Sequence, residues 1–547
     1  MSLAVAARPL ARATSRSRRL VIARHVARSA WLWAVVWGAV LGLFVIATVQ
    51  AFVKGYPTLA ERTALAHSMQ AFEILIGQAQ RLDTVAGFTS WRLMTTSYII
   101  GAIWAIRTSC GLLRGEEDAG RWELLLVGPT TPRRATVEAL LGLGLALLAM
   151  WTVIAIFTCS VGRLPAAHFG TAGSLLETIS LIAGAAMFLA IGALASQLAA
   201  SAGQASLLSS AVLAVAYIVR LISDANTTLD WLRWLSPIGW IEELHPLTSP
   251  QLVALVPMLV LIGVCCVLTV VLAGRRDLNA SVLRERQGPA GNPRWLRGPI
   301  SLTLRLSRTS SLVWMFGIGG WLAILGSLTH SATGIITASS AAVAATLGRL
   351  GLRQAAAGFL GLGFLFASVG IALFGAAQMV SMRDEEASGR LDNLLVRPVS
   401  RVTWLAGRVA VALCMVVFAG VVSGFLTWVG AANQHTGVGP VKLLEAGVNA
   451  VPPAVFVLGA GTLVFGLRPQ LTTAAVYGII AWSFLIDLLS ALVKNADWLR
   501  DSSLLTHLEL APGANPDWGS NAVMVLTGLA LASLGAIAFQ HRDIAYD

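Results

Sequence analysis

One short segment of the chain carries residue types that could perform acid–base chemistry. It contains Trp240, Glu242, Glu243 and His245. Glutamate and histidine are common general acids and bases, so this cluster could serve a membrane enzyme that acts on lipid-linked substrates. It lacks a second acid–base partner, and an enzyme therefore remains an alternative interpretation.

The sequence patterns that bind nucleotides or metal ions do not occur in the chain. It contains no GxxxxGKS or GxxxxGKT, whose backbone cradles phosphates, and no HExxH, which binds zinc from a helix. The five cysteines show no CxxC spacing and lie in or beside apolar runs: Cys110, Cys159, Cys265, Cys266 and Cys414. The sequence therefore predicts no catalytic residue, no metal site and no cofactor bound by this chain.

The elements that hold these residues are predicted to be membrane helices. Hydrophobic residues make up 56% of the 547 positions and charged residues 12%, about half of the roughly 25% found in soluble domains. Apolar runs such as Trp31–Val49, Leu140–Ser160 and Leu252–Ala273 are long enough to cross about 30 Å of hydrocarbon. Because lipid offers the backbone no hydrogen bonds, the runs must be helical, and the predicted fold class is an all-α polytopic membrane protein.

The net charge of +12 comes mostly from arginines between the apolar runs. This distribution is typical of inner-membrane proteins, which concentrate basic residues in cytoplasmic loops, and it does not indicate nucleic acid binding. No small-residue cleavage site follows Trp31–Val49, so this run is predicted to be a retained helix rather than a signal peptide.

Three segments recur in the same order, which predicts a tandem duplication. EEDAGRWELLLVGP at Glu116–Pro129 matches EEASGRLDNLLVRP at Glu385–Pro398, with an offset of 385 − 116 = 269. The triplet WLR begins at 231 and again at 498, and the pair RD begins at 276 and again at 542, at offsets of 267 and 266. Three matches at nearly one offset are hard to attribute to chance.

Each half contains six apolar runs, which gives about twelve predicted membrane helices. The first half is expected to span the membrane at 31–50, 93–111, 136–161, 174–200, 205–222 and 252–273. The second half is expected to span it at 311–328, 358–381, 407–430, 447–467, 470–490 and 522–540. The predicted domains are an N-terminal cytoplasmic segment with an interfacial helix over Arg12–Arg28 (1–30), the first half (31–273), a basic cytoplasmic linker (274–310), the second half (311–540) and a cytoplasmic tail (541–547).

The distribution of basic residues predicts the orientation of the chain. With the N-terminus inside, the inside loops hold more than twice as many lysines and arginines as the outside loops. Both termini and the linker are therefore predicted to be cytoplasmic.

The repeated acidic segments are predicted to be short amphipathic helices, since each lies between the second and third spans of its half. The paired glutamates favour a helix start, Gly120 and Gly389 interrupt the first turn, and a proline ends each segment. The leucines offer an apolar edge to a soluble partner, and Glu117 and Glu386, being cytoplasmic, are expected to be partly exposed. Because the segment occurs twice, that partner is expected to present two similar surfaces, as a dimer does. A solvated loop that only satisfies topology is the alternative.

The pattern EExxGRxExLLxxP between spans two and three resembles the coupling-helix region of ABC-2-type permeases, the membrane subunits of ABC exporters. Two fused six-span units resemble the actinobacterial exporters of polyketide antibiotics, the tetronasin-type multidrug permeases. The resemblance covers nearly the whole chain and implies a type V exporter-like architecture in a bacterial plasma membrane. It also implies export of hydrophobic drugs, energised by two copies of a cytosolic ABC ATP-binding subunit that bind ATP and Mg.

By this resemblance, two sets of residues would meet the ATPase subunits. The first set is Glu116, Glu117, Gly120, Arg121, Glu123, Leu125 and Pro129, and the second is Glu385, Glu386, Gly389, Arg390, Asp392, Leu395 and Pro398. The second copy departs from the first where Asn393 replaces Leu124 and Arg397 replaces Gly128, so the two contacts need not be equally strong. The family also has a re-entrant stretch before the last span, and the Trp- and Pro-containing segments Thr227–Pro250 and Asp497–Gly519 are predicted to be half-buried external caps.

A substrate cavity between the halves is expected to be lined by their first, second and fifth spans. The candidate aromatic residues are Trp33, Trp37, Tyr98, Trp104, Tyr217, Trp314, Trp321, Phe364, Tyr477 and Trp482. At least half of the aromatic residues in such spans are expected to face lipid or to lie in the interfacial belt instead. An ion-coupled secondary multidrug carrier is the main alternative within transport, although the span centres are almost free of the carboxylates that relay protons.

Overall fold

The computed structural model describes residues 20–69, 77–78, 80–126, 130–225, 227–276, 281–282, 298–338, 355–392, 396, 400–434, 437–489 and 497–542. The regular elements within these residues are helices. In the first half they are α1 (Val21–Gly55), α2 (Leu59–Met69), α3 (Val85–Cys110), α4 (Glu116–Asp118), α5 (Arg121–Leu126), α6 (Pro132–Gly162), α7 (Thr171–Leu198), α8 (Ala202–Ala225), α9 (Pro237–Glu243) and α10 (Leu255–Ala273). In the second half they are α11 (Pro299–Ala338), α12 (Ala355–Ala387), α13 (Arg401–Ala431), α14 (Pro440–Asn449), α15 (Pro452–Leu467), α16 (Thr472–Leu489), α17 (Asp497–Arg500) and α18 (Trp518–His541).

The chain divides into two compact units, Met1–Gln287 and Gly288–Asp547. The boundary falls inside the segment 274–310 that the sequence predicts as a linker. In the first unit α1 packs along α6 and α3 along α7, and in the second unit α11 packs along α13 and α12 along α15. The same pairing of helices therefore recurs in both units.

Eleven helical segments of the described residues are long and apolar enough to cross a membrane. They correspond to eleven of the twelve predicted spans. The twelfth prediction, 93–111, falls on α3, which has 26 residues but carries Arg92 and Arg107 and is not among the eleven. The chain is thus an all-α polytopic membrane protein, as its sequence predicts.

Several helix boundaries differ from the predicted ones. Helix α1 begins at Val21 and α11 at Pro299, ten and twelve residues before the expected spans. Residues 21–30 and 300–310 contain no proline or glycine that would break the helix, and Pro299 stands at the first helical position, where proline is tolerated. Residues 21–28 of the expected interfacial helix therefore belong to α1, Leu20 is the residue that precedes α1, and residues 12–19 lie outside the described part. The predicted span 447–467 is divided between α14 and α15, because Pro452 and Pro453 cannot donate the backbone hydrogen bonds that would continue α14.

Small residues allow the helices of each unit to approach closely. A Cβ atom at Gly184 in α7 would lie 2.7 Å from the Cα of Tyr98 in α3, and one at Gly528 in α18 would lie 2.7 Å from the carbonyl oxygen of Val455 in α15. Such contacts are typical of membrane helices, which pack by close backbone approach because burial of apolar surface does not drive their association in lipid.

Candidate functional site at the repeated acidic loops

Each acidic loop turns at a glycine whose backbone is left-handed. Gly120 has a φ of +72° and Gly389 has a φ of +67°, a region that glycine enters without steric cost. The N–H of Gly120 donates to the carbonyl oxygen of Glu117, and the N–H of Gly389 donates to that of Glu386, at 2.9 Å in both cases. The two copies of the motif therefore fold into the same local turn.

In the first unit the second glutamate of the motif is buried and ion-paired. The guanidinium of Arg276, just beyond α10, donates to both carboxylate oxygens of Glu117 at 2.7 and 2.5 Å. Arg114 approaches the same carboxylate at 3.4 Å. Glu117 is only 4% exposed. The loop after the second span is thus joined to the end of the last span.

The second unit repeats this pair with different supporting residues. Arg542, just beyond α18, donates to both carboxylate oxygens of Glu386 at 2.6 and 2.8 Å. Its guanidinium lies over the rings of Phe465 and Phe539, 5.6 and 5.4 Å from their centroids. In the first unit, Arg276 instead donates to the side-chain oxygen of Gln197 at 2.9 Å. The buried pair therefore recurs, and the residues that orient the arginine differ.

We call the side of each unit that carries the acidic loop the motif face. In the first unit it also includes the junction of α7 and α8, since Arg114 donates to the carbonyl oxygen of Ala200 and Asp118 accepts from the backbone N–H of Ala202, both at 2.8 Å. These contacts bring three interhelical segments to one side of the first unit. The segment that follows α18 joins the motif face of the second unit, where Arg401 donates to the carbonyl oxygen of Arg542 at 2.6 Å.

Burial of Glu117 and Glu386 corrects one expectation from the sequence. A cytoplasmic loop suggests that both glutamates are partly exposed, but each is held inside its own unit by an arginine. The sequence contained a signal for this arrangement, because the pair RD beginning at 276 and 542 recurs together with the acidic motif. Periodicity within one segment could not reveal that these distant repeats contact each other.

The first glutamate of each motif makes a contact that differs between the units. Glu116 accepts two hydrogen bonds from Arg121, at 2.5 and 2.8 Å, and these bonds hold the pKa of Glu116 below its usual value. Glu385 instead pairs with Arg408 at 3.0 Å, while Arg390 donates to the hydroxyl of Ser388 at 2.7 Å. The arginines at equivalent positions of the motif thus have different partners.

The outer surface of the loops is partly apolar. Trp122 and Leu391 are buried and anchor the loops to the helices, whereas Leu124 is 76% and Val396 is 88% exposed. Glu123 is exposed and Asp392 is half-buried. Of the predicted contact residues, Pro129, Leu395, Pro398 and the side chain of Leu125 lie outside the described part.

Only some of the aromatic residues that were predicted to line the cavity lie close together. Trp33, Trp37 and Trp104 line one open groove between α1 and α3, with a volume of about 600 Å³ and with Arg107 and Glu116 also in its wall. Tyr98 and Phe364 are buried, and Trp314 stacks on buried Phe374 with 6.0 Å between centroids. The remaining candidates are half-buried or exposed: Tyr217, Trp321, Tyr477 and Trp482.

The opposite side of the first unit, which we call its cap face, consists of residues 227–251 and the helix ends they cover. Glu242 lies against Arg220 at 2.6 Å, and Arg220 also pairs with Asp224 at 2.8 Å. Arg233 joins Asp224 to Glu243 at 3.0 and 2.7 Å. Burial raises the pKa of Glu242 to about 8, although Arg220 opposes the shift, and burial lowers the pKa of His245.

Glu242 and Glu243 have a structural role in this network. Glu243 pairs with Arg233, and the carboxyl group of Glu242 lies against Arg220. Gly77, with a φ of +119°, packs directly over this contact, where a Cβ atom would lie 2.6 Å from Glu242. Among the described residues, no group of histidine, cysteine and acidic side chains could hold a metal ion. The arrangement indicates that this network stabilises the cap rather than forming an enzyme site.

Comparison with known proteins identifies the family of this two-unit membrane protein. Residues 23–278 match the family described as ABC-2 family transporter protein, and residues 296–540 match the C-terminal domain of the multidrug efflux system permease Rv1217c. The chain is 30% identical over 527 residues to the multidrug efflux system permease protein Rv1217c of Mycobacterium tuberculosis, covering 94% of this chain and 92% of the relative. The chain belongs to the ABC-2 transporter family. The expectation drawn from the acidic motif and the duplication is therefore confirmed, and the protein is a permease.

Proposed function

We propose that this permease exports hydrophobic drugs and is driven by two separate ABC ATP-binding subunits that dock on its two acidic loops. The observation that carries the proposal is the repeated link from an exposed loop surface to the last span. Glu117 and Glu386 are the buried ends of that link, while Leu124 and Val396 are its exposed apolar ends. A force applied to either loop is thereby transmitted to α10 or α18.

Coupling therefore divides into two tasks carried out by different residues. Exposed apolar side chains bind the partner, because they gain free energy when a protein surface covers them, about 2 kcal/mol for a fully buried leucine. Buried ion pairs keep the loop rigid with respect to the helices. ATP and Mg bind to the partner subunits, since this chain has no phosphate-binding loop.

The proposal about substrate rests on the groove that contains Trp33, Trp37 and Trp104. Indole rings present large apolar surfaces that suit bulky hydrophobic molecules. The name of the mycobacterial relative describes a multidrug efflux permease, and similarity over nearly the whole chain supports drugs as the substrate class.

Assembly with the ATPase subunit tests the docking surface. We expect Leu124→Asp combined with Val396→Asp to abolish co-purification of a co-expressed ABC ATP-binding subunit. Leu59→Asp is a matched control, because Leu59 is also an exposed leucine (67%) but lies in α2, beyond the other end of α1. Undiminished co-purification of the double variant would refute docking on these loops.

Hydrolysis measurements test the energy source. The purified permease alone should not hydrolyse ATP, and the assembled complex should hydrolyse it faster when a hydrophobic drug is added. Turnover by the permease alone after stringent purification would contradict the proposal.

The proposed orientation places both termini and the linker in the cytoplasm. An impermeant thiol reagent should therefore leave Ser17→Cys and Gly288→Cys unlabelled in intact cells and should label them after lysis. Labelling in intact cells would reverse the orientation.

A further inference from the structure

A second groove, on the outside of the first unit, has features that the export proposal does not use. It lies between α1, α6 and α10 and has a volume of about 890 Å³. Its walls are almost entirely apolar and include Leu141, Leu145 and Val267, each more than half exposed. We propose that this groove binds one acyl chain of an anionic phospholipid from the leaflet on the motif face.

The length of the groove matches one leaflet. Its wall on α6 extends from Val137 to Leu148. At a rise of about 1.5 Å per residue these positions are about 16 Å apart along the helix. Half of a hydrocarbon core of about 30 Å is about 15 Å thick, so one acyl chain would fill the groove from end to end.

The charge at one end of the groove suits a phosphate headgroup. Arg24, Arg133 and Arg275 are exposed. Each is four residues from a groove residue, namely Leu20, Val137 and Val271, and therefore lies on the same side of its helix or within one turn of its end. Arg134, next in sequence, is already paired with Glu138 at 3.3 Å. Within the described part of the chain, no acidic side chain pairs with the three arginines.

The floor of the groove contains a glycine that leaves room for a chain. A Cβ atom at Gly144 would meet no atom within 4 Å, so a larger side chain could occupy the groove there without disturbing the backbone. By contrast, Gly142 of the same helix packs against α1, where a Cβ atom would lie 2.9 Å from the Cβ of Val26. Gly144 therefore shapes the open surface rather than a helix contact.

The second half provides an internal comparison. Helices α6 and α13 each have 31 residues and begin after equivalent capping residues, Thr131 and Ser400. At that offset of 269, Leu413 stands in place of Gly144 and Val402 in place of Arg133. The second half thus lacks both the open glycine and the arginine, which indicates that the lipid site belongs to the first half.

Lipid binding to the purified full chain tests this inference. Native mass spectrometry would follow titration with dioleoylphosphatidylglycerol or dioleoylphosphatidylcholine. We expect the wild type to prefer the anionic lipid. Arg133→Val should weaken phosphatidylglycerol binding about fivefold, the effect of one basic residue near a membrane surface, and should leave phosphatidylcholine binding unchanged.

Gly144→Leu should remove high-affinity binding of both lipids, because its side chain occupies the path of the acyl chain. Gly317→Leu is the control, since Gly317 in α11 is also exposed with no atom near its Cβ position. Equal binding of the two lipids by the wild type would overturn the proposal, as would wild-type binding by Gly144→Leu. Loss of drug binding with unchanged lipid binding in Gly144→Leu would assign the groove to the drug, and a changed subunit number would assign it to a second copy of the chain.

Discussion

On the motif face, the first half pairs Glu117 with Arg276 and the second half pairs Glu386 with Arg542, with nitrogen–oxygen distances of 2.5–2.8 Å in both. The cap of the first half and residues 497–517, which we call the cap of the second half, agree only in part. Ser236 donates to the carbonyl oxygen of Ala216 at 2.7 Å, and the equivalent Ser503 donates to that of Ser483 at 3.0 Å. The charged residues around these two serines differ between the halves.

The cap of the first half is held by buried ion pairs, and that of the second half by amides together with an attraction between Asp487 and Arg500. Arg220, at the centre of the first network, corresponds at the offset of 267 to Asp487. In the second half, the side-chain amide of Asn449 donates to the carbonyl oxygen of Glu509 at 3.0 Å and accepts from Asn521 at 2.8 Å. Glu509 corresponds to Glu242.

The difference shows which contacts a duplicated membrane protein keeps. Both halves keep a buried Glu–Arg pair where the same kind of soluble subunit is proposed to dock. Each cap has a connection between the segment before the last span and the fifth span, and one serine hydrogen bond supplies it in each half. Around that serine, either ions or amides satisfy the buried polar groups.

The largest expected effect is loss of a motif-face pair. Glu117→Ala and Glu386→Ala should each destabilise the chain by about 3–5 kcal/mol, because each leaves a largely buried arginine without its carboxylate. Glu123→Ala, on the exposed surface of the same loop, should change stability by no more than about 0.5 kcal/mol. Unfolding of the purified chain in detergent measures both, and a tolerated loss in one half would mean that the halves do not share this requirement.

The cap faces should differ in their response to pH. Glu242 has a pKa of about 8 in the folded chain and near 4.5 when unfolded, so between these values only the folded state retains the proton. Its contribution to stability is therefore lost as pH rises through this interval, by at most about 1.4 kcal/mol per pH unit. The other charged groups that face it are Arg220, Asp224 and Arg233.

Thermal midpoints measured from pH 5.5 to 8.5 would detect this dependence. Glu242→Gln should flatten the profile, since glutamine cannot titrate. Glu509→Gln, whose side chain is exposed at the equivalent position of the second half, is the matched control for loss of a carboxyl group from a cap. Equal flattening by both variants would show that the two caps respond alike.

The shared serines should have equal effects in the two halves. Ser236→Ala and Ser503→Ala each remove a buried hydrogen bond and should cost about 1–2 kcal/mol. Ser160→Ala, which removes only an exposed bond within α6, should cost no more than about 0.5 kcal/mol. A much smaller cost at Ser503 than at Ser236 would show that other contacts hold the second cap without this hydrogen bond.

Sequence patterns predicted the helices well because a membrane span is a local property of composition. They placed the beginnings of α1 and α11 too late, since hydropathy detects the apolar part of a helix and not the polar turns that precede it. The proline pair at 452 and 453 was visible in the sequence, but the apolar run around it favoured the prediction of one continuous span.

The site was less predictable, because its contacts join distant segments. Glu117 and Arg276 are 159 residues apart, and only the fold brings them together. Arg220 stands at the end of an apolar run and gave no sign that it pairs with Glu242. The repeat was the strongest evidence for this contact in the sequence, because segments that recur together often belong to the same structural feature.

The smallest expected effect concerns the left-handed glycines, which both halves share. Gly120→Ala and Gly389→Ala should each cost about 1 kcal/mol, because alanine disfavours a φ near +70° although no atom would clash with its Cβ. Gly111→Ala is the control: Gly111 also has open space around it, but its φ of −67° is helical, so alanine there should stabilise the chain by about 0.5–1 kcal/mol. Opposite signs in the unfolding midpoints would confirm that the turn itself is kept in both loops. If all three substitutions stabilised the chain, the loops would not hold this turn, and the repeated glutamate pairs alone would define the similarity of the two motif faces.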